Sequence, residues 1–306
     1  MKKIILVLSS IAVLFSSCAN SKLLTHGAIG SDKSLYYHHL GKGEPIVIIH
    51  GGPGLNHRYF LPHLERLSHN HHLIFYDQKA CGDSEIPADT NEMSVQAFVN
   101  DIDKIRSRFK LKKVHILAHS WGTSLALRYA MQKPQYISSL ILSNPTGTSY
   151  ADVRETSKLL NAKFDYNDQQ RRMQIINSTA FRQNDPSALA ELIKLSFAKN
   201  MARPDLVDSI QLYYPLDFVK KNASLKYLFR DLTDYDLYDA CSKIAIPTLI
   251  LEGDADIGLE SARKLSATIK SSALHIIPNS GHFPFIENPP LFDQLVLDFL
   301  IKVDKK

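Results

Sequence analysis

The apolar run Lys113-Val114-His115-Ile116-Leu117 reads as a buried strand, and Thr123-Ser124-Leu125-Ala126-Leu127-Arg128-Tyr129-Ala130 reads as a helix free of breakers. Between them stands only Ala118-His119-Ser120-Trp121-Gly122, so the chain must turn sharply from one to the other. Small residues are needed in such a turn because neighbouring side chains crowd it and push the serine hydroxyl out of the sheet. The helix that follows points its first amides at the same spot, where they stabilise negative charge. The pattern is the strand–Gly-x-Ser-x-Gly–helix elbow, with Ala118 in place of the first glycine. The competing reading is that Ser120 merely caps the helix, a common task for serine.

At 306 residues, with 44% hydrophobic and 22% charged content, the chain is long enough for one large globular domain carrying an insertion. The formal charge of +5 is modest, and Lys2, Lys3, Lys302, Lys305 and Lys306 supply much of it from the two ends. No basic cluster is interleaved with aromatics, so no nucleic-acid partner is expected. Lys2-Lys3, the apolar run Ile4 to Phe15, then Ser16-Ser17-Cys18 resemble a bacterial lipoprotein signal. Residues 1–17 would then be removed and Cys18 would carry the lipid, tethering an exported domain to the cell envelope and facing the periplasm. The apolar run is too short for a comfortable membrane span. Cys81 and Cys241, far apart in sequence, are expected as free thiols, and no metal or cofactor is expected from the spacing of Cys and His.

Residues 18–34 read as a polar tether. Strand-like runs follow at Leu35-Leu40, Pro45-His50, Leu73-Asp77, Lys113-Leu117 and Ser139-Ser143, with a helix over Ser94 to Phe109. Alternation resumes with strands at Ile246-Leu251 and Ala273-Pro278 and helices at Glu260-Ile269 and Pro290-Val303. This order predicts an α/β domain, a mostly parallel sheet with helices on both faces, built from residues 35–149 and 239–303. Residues 150–238 are helix-like, polar and aromatic, and an interruption of about 90 residues is too long for mere loop. They are expected to form a helical cap.

A serine hydroxyl is a poor nucleophile unless a base takes its proton and an acid orients the base. Leu249-Ile250-Leu251-Glu252-Gly253 is a strand running into Asp254-Ala255-Asp256, and both aspartates are candidates for the acid. The next strand runs into Asn279-Ser280-Gly281-His282, the one histidine of thirteen that combines a strand end, a preceding glycine and the order Ser, Asp, His. His119, beside the serine, is expected to point away. His50-Gly51-Gly52-Pro53-Gly54 follows the strand Ile46-Val47-Ile48-Ile49 and suits a turn whose main chain approaches a developing oxyanion. Gly52 N–H and Trp121 N–H are the expected donors.

These residues resemble the α/β-hydrolase superfamily. His50-Gly51-Gly52-Pro53-Gly54, Tyr76-Asp77-Gln78 with Cys81-Gly82-Asp83-Ser84, and His119-Ser120-Trp121-Gly122 look like its proline iminopeptidase branch, while Gly281-His282-Phe283-Pro284 and Glu287-Asn288-Pro289 are common to many members. The resemblance implies the α/β-hydrolase fold with a helical cap after the sixth strand, and no cofactor. It implies Ser120 as nucleophile, His282 as base, Asp256 rather than Asp254 as acid, and Gly52 and Trp121 as oxyanion donors. It also implies a serine hydrolase, in first place an aminopeptidase releasing N-terminal residues from short peptides through an acyl-enzyme. An esterase or lactonase with the same triad is the alternative, and a non-catalytic envelope binding protein a remote one. The sequence departs from the pattern at Lys79-Ala80, where Arg-Gly is usual, and at Ala118. Ile257 follows Asp256 where the branch has a glutamate for a substrate ammonium, and no Glu-Asn cap motif is evident. Glu155, Glu191, Asp205, Asp208 and Asp217 are the cap-region carboxylates open to that role.

Overall fold

The computed structural model describes residues 25–29 and 34–305, so the leader and Cys18 lie outside the described residues. Eight strands form one sheet: β1 (Thr25–Ile29), β2 (Leu35–Leu40), β3 (Glu44–Ile49), β4 (His71–Tyr76), β5 (Val114–His119), β6 (Ile137–Ser143), β7 (Thr248–Gly253) and β8 (Ser272–Ile277). Their spatial order is β1-β2-β4-β3-β5-β6-β7-β8. From β4 to β8 all neighbours run parallel, while β2 pairs antiparallel with β4 and β1 with β2. The fold class expected from the sequence is the one observed.

One expectation is corrected. Residues 25–29 are not tether but the edge strand β1, in register with β2 from Thr25↔His39 to Ile29↔Leu35. The exposed edge of β2 offers a row of unpaired backbone groups, and an adjoining extended segment satisfies them through its main chain alone. That pairing needs no apolar alternation, so composition does not announce it.

The parallel strands are apolar almost throughout because both faces are covered. Successive side chains alternate between faces: Val47 and Ile49 pack with α1 (Val95–Arg108) and α2 (Trp121–Gln132), while Ile46 and Ile48 belong to the core on the other face. Ser94 caps α1 by accepting from the Ala97 amide, and Phe98, Val99, Ile102 and Ile105 are buried at helical spacing. Each fully buried Leu, Ile or Phe contributes about 1.5–3 kcal/mol over its exposed state.

After β6 the chain leaves the sheet through α3 (Tyr150–Ala162), α4 (Tyr166–Asn177), α5 (Thr179–Arg182), α6 (Pro186–Ala198), α7 (Phe218–Ser224) and α8 (Lys226–Phe229). The two ends of this excursion meet at a neck, where Tyr150 N donates to Tyr235 O (2.9 Å) and Leu237 N to Thr148 O (3.0 Å). The chain re-enters through α9 (Tyr238–Cys241), and α10 (Leu259–Thr268), α11 (Pro284–Glu287) and α12 (Pro289–Asp304) complete the layers. Phe292, Val296 and Leu300 of α12 fill the face opposite α1 and α2.

The departure at Lys79-Ala80 has a local explanation. Lys79 is fully buried, its Nζ 2.5 Å from Asp101 Oδ1 of α1, so the pair fastens the loop after β4 to that helix. Ala80 adopts a φ of 55°, the left-handed conformation that glycine takes without strain. Cys81 and Cys241 are buried free thiols. Among the described residues no helix is long and apolar enough to cross a membrane.

Candidate active site

Ser120 occupies the single residue between β5 and α2, with φ 54° and ψ −126°. This conformation is strained for a side-chain-bearing residue and holds the hydroxyl above the sheet. Gly122 makes the turn possible, since a Cβ there would lie 2.6 Å from Ile49 O and 2.7 Å from His50 O. Ala118 is accommodated within the core, fully buried. Although Ser120 stands at the N-cap position, its side chain makes no capping bond. Instead Ser120 Oγ lies 3.0 Å from His282 Nε2, and His282 Nδ1 lies 2.7 Å from Asp256 Oδ2.

Asp256, not Asp254, meets the imidazole. Asp254 accepts the Asn279 and Ser280 amides and so braces the turn leading to His282. Asp256 is buried and also accepts from Asn144 Nδ2 (2.7 Å), Asn200 Nδ2 (3.0 Å) and the Gly258 amide (2.9 Å). Burial alone would raise its pKa, but the His282 ring, the Glu252 carboxyl and the Gly258 amide outweigh it and hold the carboxyl well below the usual range. Glu252, fully buried, shares the Asn144 amide, and burial with the neighbouring Asp256 charge pushes its pKa far up. Its environment thus favours the uncharged form.

The glycine-rich turn lies against the serine. Gly52 has a φ of 126°, and a Cβ there would collide with the amides of Gly54 and Leu55. Among the described residues neither the Gly52 nor the Trp121 amide has a hydrogen-bond acceptor, and both residues line the cavity that Ser120 and His282 share. Pro53 lines the same cavity, and Gly54 abuts Leu225 at the foot of the cap. Gln78 clamps the arrangement: it accepts from the Trp121 indole (3.0 Å), and its Nε2 donates to His50 O (2.7 Å). Its own amide donates to His50 Nε2 (2.9 Å), so His50 serves as an internal brace.

His119 does not point away from the site. Its Nδ1 lies 2.8 Å from Tyr59 OH and its Nε2 lies 2.7 Å from His282 O. Tyr59 OH in turn accepts the Gly51 amide (2.8 Å), so one chain of bonds joins the oxyanion turn to the backbone of the base. Asn200, two residues beyond α6, adds a second brace: besides Asp256 it takes the Ile257 amide (3.0 Å) and its carbonyl accepts from His282 N (2.8 Å). Glu287 adds a third, its carboxylate accepting the amides of Ala202, Arg203, Gly281 and Phe283. Glu287 and Gln78 fall in motif segments visible in the sequence, whereas Asn200 carries no local signal.

Glu287→Gln leaves one carbonyl oxygen for those four donors. A loss of about 3 kcal/mol in unfolding free energy is expected, from buried amides left without acceptors. With the His282 turn loosened, kcat should fall about tenfold or more; urea denaturation and initial rates measure the two effects.

Burial lowers the pKa of His50 to about 4 and that of His119 to about 3, with the His282 ring also opposing charge on His119. The unfolded chain, with ordinary histidines near 6.5, therefore binds more protons below that pH, and the stabilisation is lost as pH falls from about 6.5 towards 4. Glu252 acts oppositely, since its raised pKa favours the fold at low pH and this contribution fades above about 4.5. Burial also lowers the pKa of His39, His63, His72 and His115, so the histidines outweigh this one carboxyl and stability declines as pH falls from roughly 6 to 4.5. Urea midpoints should fall with pH in that interval, and His119→Gln should flatten the decline.

A cavity of about 540 Å³ opens at Ser120, floored by Gly52, Trp121 and His282 and roofed by α3 and the end of α8. A smaller one, about 250 Å³, lies on the other side against Leu55, Ile193 and Phe283. None of the five cap-region carboxylates lines either cavity. Glu155 pairs with Lys158, Glu191 with Arg171, Asp205 with Arg203, Asp208 with Lys194 and Asp217 with Lys221. No cluster of ligands suited to a metal ion occurs among the described residues.

Residues 44–289 match the alpha/beta hydrolase fold family. The chain is 29% identical over 266 residues to a proline iminopeptidase of Heyndrickxia coagulans, covering 85% of this chain and 91% of that protein. Among solved structures, the proline iminopeptidase of Mycobacterium smegmatis superposes with a TM-score of 0.63 at 20% identity, covering 88% of this chain and 95% of the other. A thermophilic esterase from Thermogutta terrifontis does so with a TM-score of 0.65 at 19% identity, over 90% and 97%.

Proposed function

Because the chain belongs to the alpha/beta hydrolase fold family, we propose that it is a serine hydrolase of proline iminopeptidase type, releasing N-terminal residues from short peptides through an acyl-enzyme. The observation that carries this reading is the continuous line of hydrogen bonds from Ser120 Oγ through His282 to Asp256, beside two amides without acceptors. His282 Nε2 accepts the serine proton as Oγ attacks the scissile carbonyl. Asp256 keeps the other ring proton on Nδ1 and stabilises the imidazolium that forms. The Gly52 and Trp121 amides bind the oxygen that becomes negative, each such donor contributing about 10²–10³ in rate. His282 then protonates the departing amine, and the same ring activates water to cleave the ester at Ser120. Small esters and amides pass through the same intermediate.

Peptide and amino-acid arylamides should be hydrolysed, and a fluorophosphonate should label Ser120. Protein that is folded yet neither labelled nor active would refute the assignment and favour a binding role. The same reading places the enzyme at the cell envelope, on the strength of Lys2-Lys3, the apolar run and Cys18. Labelled fatty acid should be incorporated by the full chain and not by Cys18→Ala; equal labelling of both removes the anchor.

A further inference from the structure

We propose that the cavities meeting at Ser120 accept the acyl part of the substrate only in uncharged form. A peptide's N-terminal amine then enters deprotonated, and acyl groups without that amine are preferred near neutral pH. The proposal rests on the serine-hydrolase reading above and narrows its substrate class.

The larger cavity is walled by apolar side chains, among them Val153, Leu160, Phe229, Leu232 and Ile257. Its uncharged polar lining includes Thr146, Thr156, Ser157, Ser196, Thr233 and Asn200. The titratable residues that line it are His282, Tyr150 and Tyr235. The smaller cavity adds only His119, a ring that burial keeps neutral. Among the described residues no aspartate or glutamate lines either, so whichever side receives the acyl group, an ammonium there finds no counter-charge.

The charges behind the walls do not repair this. Asp256 is turned to His282, Asn144, Asn200 and the Gly258 amide. Glu252 is fully buried against Asn144, lines neither cavity, and sits where burial favours its uncharged form. Asp152 accepts the hydroxyls of Ser149 and Tyr238. Behind Tyr235 stands Arg128, its guanidinium carbon 4.9 Å from the ring centroid and its Nε and Nη2 without hydrogen-bond partners. At the rim Lys163 Nζ reaches Ala255 O at 3.5 Å. A cation entering here would give up hydration with no carboxylate to meet it and the half-buried Arg128 guanidinium beyond the wall. An amine in that position sheds its proton instead. The neutral amine is then both donor and acceptor, which hydroxyls can satisfy.

The test compares L-phenylalanine p-nitroanilide with 3-phenylpropanoyl p-nitroanilide, which differ only in the amino group, from pH 6 to 9. Any titration of the enzyme's own groups cancels in the ratio of their kcat/KM values. With an α-amino pKa of about 7.7–8.0, the amine-free substrate should lead by roughly 50- to 100-fold at pH 6, and the ratio should fall about tenfold per pH unit before levelling off above about 8.5. A ratio that does not change with pH, or a lead for the amino substrate at pH 6, overturns the proposal. Turnover of neither substrate removes the hydrolase reading itself. Ser196→Asp, which lines both cavities, supplies the missing carboxylate and should cut the pH 6 ratio at least tenfold. An unchanged ratio in that variant, shown folded by its melting curve, counts against the proposal.

Discussion

Replacing Ser120 by alanine is expected to lower kcat by about 10⁴–10⁶-fold, the scale on which loss of the nucleophile acts when nucleophile, base and acid work as a unit. Alanine keeps the Cβ that the strained turn already accommodates, and the hydroxyl makes no capping bond that the helix would lose. Stability should therefore change by less than about 0.5 kcal/mol. A residual rate above the uncatalysed one should survive, because the Gly52 and Trp121 amides are main-chain donors that the substitution leaves in place. Steady-state rates on an arylamide and the melting temperature of the same preparation measure both effects. A variant with more than a tenth of the wild-type rate would rule out Ser120 as the nucleophile.

Asp256→Asn should lower kcat by about 10³–10⁴-fold. The carboxylate accepts from His282 Nδ1, Asn144, Asn200 and Gly258, so an asparagine must turn its NH₂ group towards at least one of these donors. If that group faces His282, the ring proton moves to Nε2 and the base can no longer accept from Ser120. Asp254→Asn is the control. Its carboxylate touches the Asn279 and Ser280 amides, and its loss should reduce kcat by less than about tenfold, through the turn alone. Equal losses in the two variants would contradict the assignment of Asp256 as the orienting acid.

Much of this site was legible in the sequence because its chemistry is carried at strand ends. A strand running straight into Ser120, another into Gly253 and the aspartates, and a third into His282 place all three on one rim of a parallel sheet. The choice between Asp254 and Asp256 came from resemblance, since spacing alone left both open. The braces were less visible for a physical reason. Asn200 joins Asp256 and the His282 amide across sequence distances that no periodicity encodes. The placement of His119 is not legible from its neighbours in sequence, because its ring is held by Tyr59 OH and His282 O, both remote along the chain. β1 was missed because main-chain pairing needs no side-chain pattern.

Asn200 has a consequence for how the cover over Ser120 can move. It belongs to the segment after α6, yet its side chain secures the acid and its carbonyl secures the base. A covering layer hinged to swing clear would pull on both with every opening, and the proton relay would be dismantled each time. The segment carrying Asn200 therefore stays seated while the relay is intact, and any movement of the cover that spares catalysis must hinge elsewhere.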